Sequence, residues 1–300
     1  MTIEFTDATR SISKARIALT GPSGAGKTYT MLALGTHLAR REGGELAVID
    51  TERGKSSMYA GLNGWQFKVT RPQAFSPASL TEHLAVCAGH GFPVVAVDSW
   101  SHYWSGVDGM LEQVDKRAGS GNKFAGWKEA RPDERRMIDA LVSYPGHVIV
   151  TLRVATAYVV EANDKGKQVP KKIGLKPEQR EGMDYEFDVV GDLDLSNTMT
   201  ISKTRLPMLT GQSIHQPGEE LAATIADWMA DGEDVPGPLA YRAEALDPDA
   251  TFEGLRELRD RVTAAGLMGA PVTDGDGNPT LLGNLIAARG RELQPVRGVA

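Results

Sequence analysis

The sequence predicts an α/β fold with a mostly parallel sheet covered on both faces. Three observations predict it. Short, uniformly apolar runs alternate with helical patterns through the first two thirds of the 300 residues, and strands of that kind are buried on both faces of a parallel sheet. A glycine-rich loop joins the first apolar run to the first helical pattern. Apolar residues make up 41% and charged residues 24%, enough for a large core and incompatible with wholesale disorder.

The elements follow in order. Arg16 to Thr20 is a short strand. Met31, Leu34 and Leu38 recur at helical spacing, and the helix stops at Arg40-Arg41 and Gly43-Gly44, with bases in the last turn and glycine after it. Leu46 to Asp50 is a second strand and Phe67 to Thr70 a third. Ser76-Pro77 opens a helix towards Gly89. Val94 to Asp98 and His147 to Thr151 are further strands, with a helix from about Pro132 to Ser143 between them. Val154 to Arg180 has little apolar periodicity; it reads as a hairpin around Asn163-Asp164-Lys165-Gly166 or a mobile loop. Val189 to Leu195 and Met199 to Ser202 flank Ser196-Asn197 as a β-hairpin. A helix from Gly218 to Ala230 closes the core. Thr251 to Ala265 and Leu281 to Glu292 form a small helical C-terminal appendage. The expected organisation is an N-terminal arm (1–14), an α/β core (15–232), an acidic linker (233–250) and the appendage (251–300).

Composition excludes several classes. The formal net charge is −6, from 33 bases and 39 acids, so nucleic-acid contact must be a local patch. A single cysteine, Cys87, excludes a disulfide scaffold and a Cys-based zinc site. The first residues lack a basic segment followed by an apolar one, and no apolar run approaches the roughly 20 residues of a membrane span. A cytoplasmic protein without a membrane partner is expected. The six histidines show no ligand spacing. Asp274-Gly275-Asp276-Gly277-Asn278 begins like a calcium loop, but Pro279 replaces the turn glycine and Leu285 the bidentate acid, so a polar turn is expected.

Gly21-Pro22-Ser23-Gly24-Ala25-Gly26-Lys27-Thr28 satisfies G-x-x-x-x-G-K-[ST], between a strand and an amphipathic helix. Glycines let the backbone wrap close to phosphates, and successive N–H groups form an anion nest. Lys27 would reach the β- and γ-phosphates and the Thr28 hydroxyl would ligate Mg²⁺. Position 30 in the first turn of the following helix, Thr30, is counted with the nucleotide-binding set. Asp98 ends an apolar strand where the Mg²⁺ shell needs a carboxylate; its alternative use is as a helix N-cap. Glu52 follows the second strand, and a carboxylate there can polarise water for attack on a γ-phosphate; a solvated loop acid is the alternative.

These pieces, in this order, resemble the RecA-type recombinase ATPases. GPSGAGKT is similar to that family's phosphate loop. VIDTERGKSSMYA resembles its second-strand motif, which implies that Glu52 is the catalytic base and that Tyr59 stacks on adenine. VVAVDSW resembles the Walker B strand. TISKTR resembles the strand end whose two basic residues reach a neighbour's nucleotide, here Lys203 and Arg205. The short form looks most like the minimal, Sak-type RecA-like ATPases of bacteriophages. That implies a RecA-like P-loop NTPase core using ATP and Mg²⁺, a homo-oligomeric filament or ring, and work on single-stranded DNA beside a single-strand-binding or annealing protein. Phe5-Thr6-Asp7-Ala8 resembles the Phe-x-x-Ala segment by which related recombinases join subunits. Ser56 stands near the place of the family's loop acid, and Thr151 and Arg153 stand where its amide sensor is usual.

Two segments suit single-stranded DNA. Lys123, Phe124, Trp127 and Lys128 interleave bases and aromatics on what reads as a glycine-rich loop. Arg153 to Arg180 holds seven bases, among them Lys165, Lys167, Lys171 and Lys172, against three acids. Glu219 to Asp249, with nine acids and one Arg, would repel DNA. Two other readings stay open: a nucleotide-gated loader without DNA affinity, and a P-loop kinase of small molecules.

Overall fold

The computed structural model describes residues 7–119, 121–162 and 168–294. In chain order, β1 (Arg16–Gly21) feeds α1 (Lys27–Arg41), followed by β2 (Leu46–Asp50) and β3 (Phe67–Thr70). Then α2 (Pro77–Gly89) leads to β4 (Val94–Asp98). Three helices come next, α3 (Ser101–Ser105), α4 (Met110–Ala118) and α5 (Lys123–Val142). β5 (His147–Ala162) pairs antiparallel with β6 (Gln168–Pro177). β7 (Val189–Leu193), β8 (Thr198–Thr204), β9 (Ser213–His215) and α6 (Glu219–Ala230) complete the core. The C-terminal region comprises α7 (Pro238–Ala245), α8 (Phe252–Ala264), β10 (Pro271–Thr273), β11 (Pro279–Leu281) and α9 (Leu282–Glu292).

The main sheet runs in the order β3-β2-β4-β5-β1-β7-β8-β9. From β3 to β7 all neighbours are parallel, and β8 and β9 are added antiparallel. β1, β2 and β4 are buried at every position, as their unbroken apolar sequences require. Alternate residues supply two cores. Ile17, Leu19 and Val48 pack with α1 and α6 on one face. Ala18, Ile49 and Val97 pack with α2 and α5 on the other. In this parallel arrangement the carboxyl ends of β1, β2, β4 and β5 share one edge of the sheet, where ligands of open α/β sheets bind.

Two expectations need correction. Sequence alone starts the helix before β5 at Pro132; α5 starts at Lys123 and contains Pro132. The Asn122 side chain caps it, accepting the Phe124 N–H at 2.9 Å, so Lys123, Phe124, Trp127 and Lys128 lie on a helix rather than a glycine-rich loop. The acidic segment 233–250 is not only a linker. It holds α7, whose Tyr241 and Ala245 are buried against Leu255, Leu258 and Val262. With so few core side chains, α7 leaves almost no apolar period in the sequence. The region between Val154 and Arg180 takes the hairpin alternative, as β5 and β6. Asp274 accepts the backbone N–H groups of Asp276 and Asn278, so the calcium-like stretch is a polar turn. The arm lies along the end of α6: Ile12 donates to the Glu233 carbonyl at 2.9 Å and Arg10 covers the Trp228 ring. Phe5 and Thr6 lie outside the described residues. Among the described residues no helix is long and apolar enough to cross a membrane.

The amino end of the sheet is closed by buried polar groups. The Arg16 guanidinium donates to the carbonyls of Lys14, Val142, Tyr144 and Gly146; burial lowers its pKa to about 10. His147 accepts the Ala15 N–H through Nδ1 at 2.9 Å, and its Nε2 lies 3.1 Å from Glu42, which also pairs with Lys14 at 2.6 Å. The hydrogen bond with His147 leads the effects that lower the Glu42 carboxyl to about 2, against an ordinary value of 4.5. Glu42 therefore contributes stability above its unfolded pKa and loses it as pH falls through its folded pKa. In denaturant titrations the wild type should be more stable than Glu42→Gln at pH 6, and this advantage should shrink between about pH 4.5 and pH 2. A pH-independent difference would contradict the ionic origin.

Candidate nucleotide-binding site

The phosphate loop leaves β1 at the carboxyl edge of the sheet. Gly24 and Gly26 have φ of 86° and 84°, left-handed backbone that favours glycine. A Cβ on Gly26 would also lie 2.8 Å from the Asn197 amide nitrogen in the β7–β8 turn. Gly26 is the N-cap of α1 and provides no side chain, so the first N–H groups of the helix are left for an anion. Lys27 folds back onto the loop, with Nζ 2.8 Å from the Gly21 carbonyl and 2.9 Å from that of Pro22. Burial lowers its pKa, while Asp98 and Glu52 nearby favour the charged form.

Thr28 donates from Oγ1 to Asp98 Oδ2 at 2.7 Å, and Thr151 donates to Asp98 Oδ1. Asp98 is almost fully buried. Burial raises its pKa, against the hydrogen bonds from Thr151 and Thr28. A hydroxyl and one buried carboxylate are the oxygen donors Mg²⁺ takes from protein when phosphate and water complete its shell. Among the described residues no group of three or more His, Cys, Asp or Glu side chains forms a metal cage. The residues present therefore fit a metal that arrives with a phosphate ligand.

Glu52 is brought in by Asp50, which sits opposite Asp98 in the β2–β4 pairing. Asp50 accepts the N–H groups of Glu52 at 2.8 Å and Gly54 at 3.2 Å, and the Ser56 hydroxyl. The loop from Thr51 to Ser56 therefore winds around one buried carboxylate, and Glu52 is held at the phosphate cavity. Thr51 fastens this loop to the next strand, accepting the Ser99 N–H at 2.6 Å and meeting His102 Nδ1 at 2.6 Å. Glu52 Oε1 accepts from Arg153 Nε at 2.9 Å and Nη2 at 2.6 Å, and Oε2 pairs with Lys55 at 3.2 Å. Burial would raise the Glu52 carboxyl; the hydrogen bonds from Arg153 and Lys55 outweigh it and hold the pKa below the usual range.

A cavity of about 500 Å³ collects Lys27, Thr28, Glu52, Lys55, Asp98 and Arg153 with Tyr29 and Tyr59. Tyr29 meets Trp65 edge-on at 4.9 Å and Tyr59 at 6.1 Å, forming an aromatic wall beside the loop. Ser23 and Gly24 also line the cavity, but Ala25 packs into the core and offers only backbone. Thr30 is buried too. One helical step turns it about 100° away from Tyr29, which is the residue at the cavity. Asp50, Lys55 and the pairing of Tyr29 with Trp65 were not singled out from sequence. Asp50 reads there as the last residue of a strand, and the aromatic wall joins residues 29 and 65, which only folding brings together.

Other expected site residues lie elsewhere. Lys203 and Arg205 are at the end of β8 that pairs with the start of β7, whereas Gly21 is at the opposite end of β1. They cannot serve the loop of their own chain. Lys203 Nζ bonds the Phe187 carbonyl, and Arg205 holds Asp188 at 2.9 Å and the Tyr185 carbonyl at 3.0 Å. On α5, Lys123 and Lys128 are exposed, Lys123 pairs with Asp115, and Phe124 is 82% exposed. Trp127 leans on Trp104 with centroids 5.8 Å apart. Lys171 and Lys172 are on β6, opposite Val159 and Tyr158. Lys165 and Lys167 lie outside the described residues.

No curated protein matches the sequence. A family model described as AAA domain matches residues 13–218, more than half of the chain. With its phosphate loop between β1 and α1 and the Glu52 and Asp98 carboxylates lining the same cavity, the chain belongs to the AAA-domain family of P-loop ATPases.

Proposed function

We propose that the protein is a Mg·ATP-dependent RecA-like ATPase that works as a homo-oligomer on single-stranded DNA, in recombination or strand annealing of the bacteriophage kind. The observation that carries this reading is geometric. Glu52, two residues past the end of β2, and Asp98, at the end of β4, both line the cavity of the phosphate loop, while the paired cations Lys203 and Arg205 sit at the far end of the sheet. A head-to-tail neighbour would bring that far end to the loop of the next subunit.

In this mechanism Lys27 exchanges the Gly21 and Pro22 carbonyls for β- and γ-phosphate oxygens. Thr28 and Asp98 would hold Mg²⁺, which when bound neutralises charge on the β- and γ-phosphates. Tyr29 and Tyr59 receive the base. Glu52 orients a water in line with the γ-phosphate and takes its proton through a carboxylate oxygen. Lys203 and Arg205 of the neighbouring subunit stabilise the charge that develops on the transferred group. Phe124 offers an exposed ring for base stacking, and Lys123 and Lys128 track the backbone with the bases of the β5–β6 hairpin. A single-strand-binding or annealing protein is the expected companion. Because assembly completes the site, ATP favours the oligomer and hydrolysis releases it.

Two substitutions separate binding from chemistry. Lys27→Ala should weaken ATP binding about ten- to hundred-fold in a fluorescence titration, the loss of charge-assisted phosphate contacts. Glu52→Gln should bind ATP yet lose about 10²- to 10⁴-fold in turnover, the usual contribution of a general base; wild-type turnover would remove Glu52 from this role. Together, Lys203→Ala and Arg205→Ala should leave nucleotide affinity of the monomer intact and lower assembly-dependent turnover by about 10³-fold or more. Full activity of that double variant would argue against action between subunits.

Anisotropy of a labelled single strand tests the DNA reading. Binding should require ATP, and log K should fall with log salt at a slope of about −0.7 per phosphate neutralised. Phe124→Ala and Lys128→Ala should each weaken it. ATP turnover without DNA affinity would favour the loader reading, and phosphate transfer to a small acceptor the kinase reading.

A further inference from the structure

Glu52 enters the reaction, on the reading above, as the group that accepts a proton, yet both of its oxygens are already engaged. Arg153 grips Oε1 with two nitrogens, at 2.9 Å and 2.6 Å, and Lys55 sits 3.2 Å from Oε2. The Glu52 side chain is only 12% exposed, so water does little to loosen the pair. A carboxylate held by a guanidinium fork is a weak base and cannot turn towards a water without giving up those bonds.

The placement of Arg153 supplies a reason for the bond to break. Arg153 is opposite Gly21 in the β1–β5 pairing, so it stands beside the first residue of the phosphate loop. Its side chain is 42% exposed and lines the same cavity as Lys27. Its backbone is pinned: the N–H donates to Ser101 Oγ at 2.9 Å and the carbonyl accepts from Glu178 at 2.7 Å. Only the side chain has freedom to move. A γ-phosphate presents more charge and more acceptor oxygens to a guanidinium than one carboxylate does.

We propose that Arg153 is a positioning residue that exchanges partners: it holds Glu52 while the γ-phosphate position is vacant and transfers to the γ-phosphate of ATP, freeing Glu52 at the moment there is a bond to hydrolyse. ADP, lacking that phosphate, leaves Arg153 on Glu52. The proposal rests on the ATPase reading and adds to it a coupling between occupancy of the γ-site and competence of the base. Lys55, 68% exposed, is free to follow the carboxylate.

A binding cycle tests this without relying on turnover. Wild type, Glu52→Gln, Arg153→Ala and the double variant are titrated with a fluorescent, non-hydrolysable ATP analogue and with labelled ADP, in Mg²⁺. With exchange, Glu52→Gln removes the competitor for Arg153 and tightens the ATP analogue roughly ten-fold, a typical coupling for contacting charges. In the Arg153→Ala background the same substitution relieves only repulsion and gains less. ADP affinity changes by less than about three-fold throughout, because no γ-phosphate competes. If Arg153 instead stays on Glu52, it shields the carboxylate, and Glu52→Gln gains more in the Arg153→Ala background; that order overturns the proposal. Arg153→Lys, which keeps the charge but not the fork, should recover part of the preference for the ATP analogue over ADP, and if Arg153→Ala does not fold it replaces that variant in the cycle with the same expected order. Wild-type protein that binds neither nucleotide overturns the ATPase reading itself, and this proposal with it; wild-type binding with the wrong order overturns this proposal alone.

Discussion

One buried carboxylate organises the carboxyl edge of the sheet. Asp98 accepts a hydrogen bond from Thr28 at the start of α1 and another from Thr151 on β5. Three elements that are far apart in sequence are therefore tied at one point. The phosphate loop stands between β1 and α1, so this tie also fixes where the loop opens. A buried carboxylate without such partners would be costly, and here both partners are hydroxyls that can turn to other acceptors. The arrangement satisfies Asp98 within the chain and leaves oxygen donors that suit a cation arriving with phosphate.

The two ends of the sheet contrast in how their polar groups are satisfied. At the amino end Arg16, His147, Glu42 and Lys14 bond one another and nearby carbonyls within the chain. At the carboxyl end Lys27 rests on loop carbonyls, and Glu52 rests on Arg153 and Lys55. The Glu52 contacts are charge pairs, and Lys27 rests on neutral carbonyls. The first kind stabilises a fold; the second kind, on the reading proposed above, holds the site's groups where a phosphate can claim them. Also at the amino end, Asp188 accepts the Arg16 N–H and holds Arg205. The strand end carrying Lys203 and Arg205 is thereby anchored to the start of the central strand.

Much of this was legible in the sequence because it depends on local pattern. The strands β1, β2 and β4 are unbroken apolar runs, and the glycine and lysine spacing of the loop has one obvious use. The Ser76 cap of α2, accepting from Ser79 at 3.1 Å, follows from Ser-Pro before an apolar period. Ambiguous local pattern accounts for the elements that differ. Pro132 looks like a helix start, yet a capping Asn122 starts α5 nine residues earlier in sequence at Lys123. Helix α7 buries so few side chains that the acids and prolines of the surrounding segment 233–250 dominate its appearance, although Tyr241 and Ala245 sit in the C-terminal core.

Local pattern is enough for the fold class, the phosphate loop and the acids that follow apolar strands, because burial on both faces and left-handed glycines each demand a particular local chemistry. Which cations meet which anions depends on how the strands assemble. That Arg153 grips Glu52, that Thr151 bonds Asp98, and that Lys203 and Arg205 lie at the opposite end of the sheet all follow from strand order and register. Pairing between strands is set by packing across the whole core, so residues a hundred positions apart become neighbours without leaving any mark in the local sequence.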